Sequence, residues 1–202
     1  REVRRVKNPD GTADGGVRSL FSIAGRQDAP GCELPQFDFE SDHAKGNLIF
    51  RIPTPVFGAG LIEQIPDREI VRNRDDDAGA KRALGIRGRM NILLPFRTVS
   101  GQPNKNGNDG TIGRFGWKAQ NKSLLVFSGE AYNVEMGITN EAFPTEREED
   151  PKCQFAPLPN SITDLSKPAL KDGLSSIEKF TFFMRFLAPP RPARDQPGGS
   201  ES

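Results

Sequence analysis

Glu135 closes the apolar run "SLLVFSGEAYNVEM", and the chain's only Trp, Trp117, and only Tyr, Tyr132, stand close to it in sequence. A carboxylate in the last turn of a helix opposes the negative end of the helix dipole, so its position asks for a reason. One reason is catalytic: a partly buried carboxylate whose pKa approaches neutrality can move a proton between reacting atoms. The other is structural, a local cap or a pair with Lys118 or Lys122. By residue type alone, Trp117 ahead of an apolar helix is expected to be mostly buried, and Met136 fills a gap.

The remaining candidates carry less. His43, the only histidine, sits in "FESDHAKGN" with no nucleophile motif beside it, and reads as a solvated or capping residue. Asp75, Asp76 and Asp77 in "NRDDDAGAK", and the stretch "NKNGNDG", offer oxygen ligands that could suit calcium. Neither has the spacing of an EF-hand loop, and both read as solvated turns. "EREED" reads as a solvated acidic run, and "GAGLIE" lacks the spacing of a dinucleotide fingerprint. Cys32 and Cys153 stand far apart with no C-x-x-C and no neighbouring His, which excludes the usual zinc and c-type haem attachment motifs. A disulfide between them and a pair of buried thiols both fit.

The elements that must position these residues follow from composition and period. Hydrophobic residues make up 35% of the 202, against 21 Gly and 17 Pro, which predicts a modest core with much loop. With 28 basic and 27 acidic residues and no lysine-rich stripe, a nucleic-acid role has little electrostatic support. No apolar run reaches membrane-spanning length. Residues 2–7 and 17–24 flank "NPDGTADGG" and read as an antiparallel pair, with "NLIFRI" a further strand. Pro55 and Pro66 mark two short helix starts, and residues 99–113 are loop. "AQNKSLLVFSGEAYNVEM" supports a helix weakened by Gly129. "DGLSSIEKFTFFMRFLAPP" gives the clearest helix, with Leu174, Ile177, Phe180, Phe183, Met184 and Leu187 on its apolar face. The reading is mainly α with long loops and a small antiparallel β element. It divides into a β-containing arm (1–46), a mainly helical segment (47–187) and a linker-like tail (188–202). No initiator Met or signal peptide opens the chain, which reads as part of something longer.

"NGNDGTIGRFGWKAQNKSLLVFSGEAYNVEMGITNEAFPTE" resembles the segment between the two haem motifs of the di-haem oxidoreductases of peroxidase type. "REVRRVKNPDGTADGG", "NLIFRIPTPVFGAGLIEQIPD" and "FTFFMRFLAPP" resemble the same family in matching order. The family's two C-x-x-C-H motifs are absent and would lie on either side of this chain. The resemblance implies a cytochrome-c-like fold and, in the parent protein, two c-type haems, peroxide or another small oxidant, and an electron-donor protein or small redox partner. It also implies export, to the periplasm in a bacterium, and export favours the Cys32–Cys153 disulfide. A more distant likeness to bacterial di-haem cytochrome c peroxidases implies that Glu135 is the catalytic acid and Trp117 an electron relay six positions before Ser123. Phe127, Tyr132 and Met136 would line the pocket, Phe127 in place of the glutamine of those enzymes. The chain alone would bind no haem covalently and would be inactive. A different class, a redox-inactive binding or scaffold module that has lost its haems, is the alternative.

Overall fold

The turn "NPDG" starts the fold. Asp10 accepts hydrogen bonds from the Thr12 backbone N–H at 2.9 Å and from its hydroxyl at 2.7 Å, a side-chain turn that reverses the chain. In the computed structural model this reversal joins strands β1 (Glu2–Arg5) and β2 (Val17–Ser19), antiparallel with Val3 opposite Arg18. The structure describes residues 2–8, 10–12, 17–19, 30–32, 38–92, 112–117, 119–146, 151–153, 157–168 and 173–191. Residues 20–24 of the expected second strand, the loop up to residue 111, Lys118, residues 147–150 of the acidic run and the tail from 192 lie outside them.

Helix α1 (Phe39–Ala44) follows, with Asp38 capping its start through the Ser41 N–H at 2.9 Å. The chain then returns as β3 (Leu48–Arg51) on the free edge of β1, giving the antiparallel order β2-β1-β3. The sheet therefore runs past residue 46. An ion pair ties helix to sheet: Arg5 Nε lies 2.8 Å from Asp42 Oδ2, with both side chains nearly buried. Asn47 donates to Asp42 at 3.1 Å and to the Lys7 carbonyl at 2.9 Å, which satisfies the corner.

The mainly helical part begins with α2 (Ala59–Gln64), α3 (Asp67–Asp75, opened by Pro66) and α4 (Ala78–Ala83). Helix α5 (Leu124–Met136), a 3-10 turn (Pro151–Cys153) and α6 (Ser176–Phe186) complete the described elements. With six α-helices and one small sheet among the described residues, the fold is mainly α. Two compact units form: residues 1–54 with 129–163, and residues 55–128 with 164–202.

Each unit has its own centre. In the first, Cys32 and Cys153 form a buried disulfide across 121 positions, with Cα atoms 4.9 Å apart. Asn140 is buried and fully used: its amide donates to the Gly129 carbonyl at 2.9 Å, and its oxygen accepts from the Ala142 and Phe143 N–H groups. Gly129, which weakens the helix by propensity, is the price of that fit, since a Cβ there would stand 3.0 Å from Asn140 Oδ1 and 3.1 Å from the Phe143 ring.

In the second unit Ala59, Phe115, Leu124 and Met184 form the core, with Val56 and Phe127 packed against it. Helix α2 meets α6 where Gly60 presses on the backbone of Arg185; a Cβ would come within 2.8 Å of Arg185 Cα. Helix α6 opens with a capping box, Ser175 and Glu178. Its buried face is Ile177, Thr181 and Met184, whereas Phe180 and Phe183, expected on the apolar face, are exposed. The reason is that Thr181 shares a hydrogen bond of 3.1 Å with Ser128 and donates to the Ile177 carbonyl at 2.6 Å, so a satisfied hydroxyl takes the inner position.

Candidate functional site

Helix α5 holds most of the candidate residues. Ser123 caps its first turn by accepting from the Val126 N–H at 3.2 Å, and Glu63 Oε1 accepts from the Leu124 N–H at 2.8 Å. The same Glu63 carboxylate receives the Arg185 fork at 2.6 and 3.2 Å. A carboxylate at a helix start is favourable, so this end of α5 is well anchored. Leu124, Val126, Ser128 and Asn133 are buried along the helix.

Burial stops in the last turn, which corrects the expectation of a partly buried Glu135. Glu135 and Met136 are exposed, Met136 at 57%, and Gly137 turns the chain at φ 68°, with the Ile138 N–H returning to the Tyr132 carbonyl at 2.9 Å. Tyr132 is half-buried one turn earlier. Tyr132, Glu135 and Met136 thus share the last two turns of α5, within the first unit. Phe127 stands near the start of the helix in the second unit, its ring 6.2 Å from that of Phe115 against the core.

Trp117 occupies a short reversal in the second unit. Phe115 and Asn121 face each other as an antiparallel bridge, with the Phe115 N–H donating at 2.8 Å and the Asn121 N–H returning at 3.1 Å. Between them the Ala119 N–H closes on the Gly116 carbonyl at 3.1 Å, and Ala119 itself sits at φ 49°. Phe115 goes into the core and Trp117 is turned outward, 55% exposed. The expectation of a mostly buried Trp117 is therefore corrected: the tight turn, absent from any count of apolar residues, decides which aromatic ring is covered.

Sequence reading missed the polar frame around these elements. Arg114 pairs with Asp67 and donates to the Glu63 carbonyl at 3.2 Å, while Asp67 also accepts from the Ile112 N–H at 3.2 Å. Lys122 Nζ approaches Asp67 at 3.8 Å. The only available signal was an excess of charge inside segments that also carry apolar residues.

The other candidates are placed as follows. His43 is exposed at the end of α1, its ring centroid 6.3 Å from that of Phe50 in an edge-on arrangement. Asp75 receives Arg74 at 2.6 and 2.8 Å, and these bonds hold its carboxyl below the ordinary range. Among the described residues no group of three or more His, Cys, Asp or Glu is placed to hold a metal ion, and no helix is long and apolar enough to cross a membrane. Both cysteine sulfurs are spent in the disulfide and the lone histidine stands apart from them in sequence, so the chain's own residues do not fit a covalently attached haem.

Comparison with curated proteins finds no match, and comparison with solved structures finds none either. Residues 3–151, well over half of the chain, match the model of the family described as Di-haem oxidoreductase, putative peroxidase. The chain belongs to the di-haem oxidoreductase family.

Proposed function

We propose that this chain is the central portion of an exported, c-type di-haem oxidoreductase that reduces peroxide with electrons from a donor protein. Family membership supports the reaction class. The buried Cys32–Cys153 disulfide supports an oxidising compartment, such as the periplasm. The haems, held by C-x-x-C-H motifs outside these residues, supply the iron chemistry when bound. The helices belong to a cytochrome-c-like body, and the β-containing arm takes in β3.

The observation that carries the site is the end of α5. Its carboxylate, Glu135, leaves the buried part of the helix in the last turn before Gly137, beside the exposed Met136. Glu135 holds a proton at its carboxylate and delivers it to the small oxidant. Met136 and Tyr132 line the wall beside it, and the outward indole of Trp117 passes electrons.

The test uses the full-length protein made in cells competent in haem c maturation. Glu135→Gln should keep folding and haem content and lower peroxide turnover by about 100-fold, the scale of a general acid–base group. Unchanged turnover per folded molecule would make Glu135 structural. An optical spectrum of the full-length protein without haem bands would favour the redox-inactive scaffold.

A further inference from the structure

The second unit carries a surface that the catalytic reading does not use. Between Ala78 and Ile92 the chain has four positive charges, Lys81, Arg82, Arg87 and Arg89, and no negative one, although the whole chain has a net charge of only +1. Within Lys81–Arg89 two large aliphatic side chains face outward, Leu84 at 75% and Ile86 at 57% exposed.

The segment is built, not loose. The Leu84 N–H bonds the Ala80 carbonyl at 3.1 Å, and the Ile86 N–H bonds the Lys81 carbonyl at 2.8 Å, which closes α4. Further along, Ile92 bridges Ile112, the Gly113 N–H bonds the Asn91 carbonyl at 2.9 Å, and the Asn91 amide donates to the Ala119 carbonyl at 3.1 Å. Lys81 donates to the Asn73 carbonyl, so its ammonium is engaged. Among the described residues Arg82, Arg87 and Arg89 make no ion pair, and all three are exposed. In the preceding acidic turn Asp75 is taken by Arg74, and Asp76 and Asp77 leave the four cations in excess.

Exposed aliphatic side chains flanked along the chain by unpaired cations have the composition of a transient protein interface: the apolar residues supply contact and the charges supply orientation and association rate. We infer that the Lys81–Arg89 ledge docks a protein partner whose own surface is an apolar patch ringed by Asp and Glu. Charge complementarity selects that occupant. Three unpaired guanidinium groups repel a second copy of the same ledge, and the aliphatic pair has no use for a purely ionic ligand. The further assignment of this partner as the electron donor rests on the reading under Proposed function.

The experiment uses the full-length, haem-loaded protein and, as probe, a small acidic c-type cytochrome in its reduced form. A lysine-rich cytochrome c of similar size serves as the counter-probe. Affinity for the acidic probe should fall steeply as salt rises from roughly 20 mM, where screening is weak. The triple variant R82E/R87E/R89E should bind it at least about tenfold more weakly, and Leu84→Ser severalfold more weakly, both with unchanged circular dichroism. Turnover driven by the acidic cytochrome should fall with affinity, while turnover driven by a small-molecule donor should not change. Equal binding by variant and parent, preference for the basic cytochrome, or no binding of the acidic one overturns the surface. So do binding to phosphatidylglycerol vesicles, or self-association, that is stronger than probe binding and lost in the triple variant. If no donor of any kind supports peroxide turnover, the peroxidase reading fails, and the affinity ratio of parent to triple variant still decides the surface.

Discussion

Residues 1–54 with 129–163 are tied by a disulfide and by polar groups paired across long stretches of sequence, Arg5 with Asp42 and Thr139 with Asn160. In residues 55–128 with 164–202, two helices approach so closely that Gly60 lies against the Arg185 backbone over an apolar core. The first unit tolerates exposed apolar surface on its sheet, where Ile49 and Phe50 face outward, because its closure does not depend on burying them. The second relies on shape, and shape is lost one methyl at a time. Both units pair polar groups from distant parts of the chain, Glu63 with Arg185 in the second; the first adds a covalent tie and the second a close helix contact.

Three measurements test this contrast. The largest effect is expected from C32A/C153A. A loop of this length makes the disulfide worth on the order of 4 kcal/mol in the chain-entropy model. Hydrogen exchange should lose protection first in β1–β3 and in residues 139–146 and 157–161; loss confined to α2 and α6 would show that the bond does not organise the first unit. Gly60→Ala comes next, at about 3 kcal/mol, since the added methyl meets backbone that cannot rotate away. Here the loss should appear in α2 and α6, and urea unfolding with no shift in midpoint would remove close approach as the reason for the glycine.

The smallest effect compares one motif present in both units. Asp10 accepts from the Thr12 hydroxyl and N–H, and Asp164 accepts from those of Ser166 at 2.6 and 3.0 Å. These bonds lower both carboxyl pKa values below the ordinary 3.8. A depressed folded value means that each turn adds stability above pH 3.8, which is lost as the pH falls through the lower folded value. Carboxyl carbon titration by NMR should give both midpoints below 3.8, and Thr12→Val should raise that of Asp10. Midpoints at 3.8 or above would mean that the hydroxyl turns do not persist in solution.

The local elements were legible in the residue order, because their signals are local. "NPDG" between alternating residues specified the β1–β2 reversal, Pro66 specified the start of α3, and Pro189-Pro190 lie just past the end of α6. Residue types also marked Glu135 as out of keeping with its helix end, and the quoted blocks carried the family. Tertiary structure decided what depends on partners far along the chain. β3 joined the same sheet because β1 had a free edge, and Phe180 and Phe183 turned outward because Thr181 found Ser128. Trp117 turned outward because the bridge between Phe115 and Asn121 committed Phe115 to the core. The physical reason is the range of the forces. Turn and cap preferences act within a few residues, whereas which of two apolar faces is covered depends on what comes to lie against it.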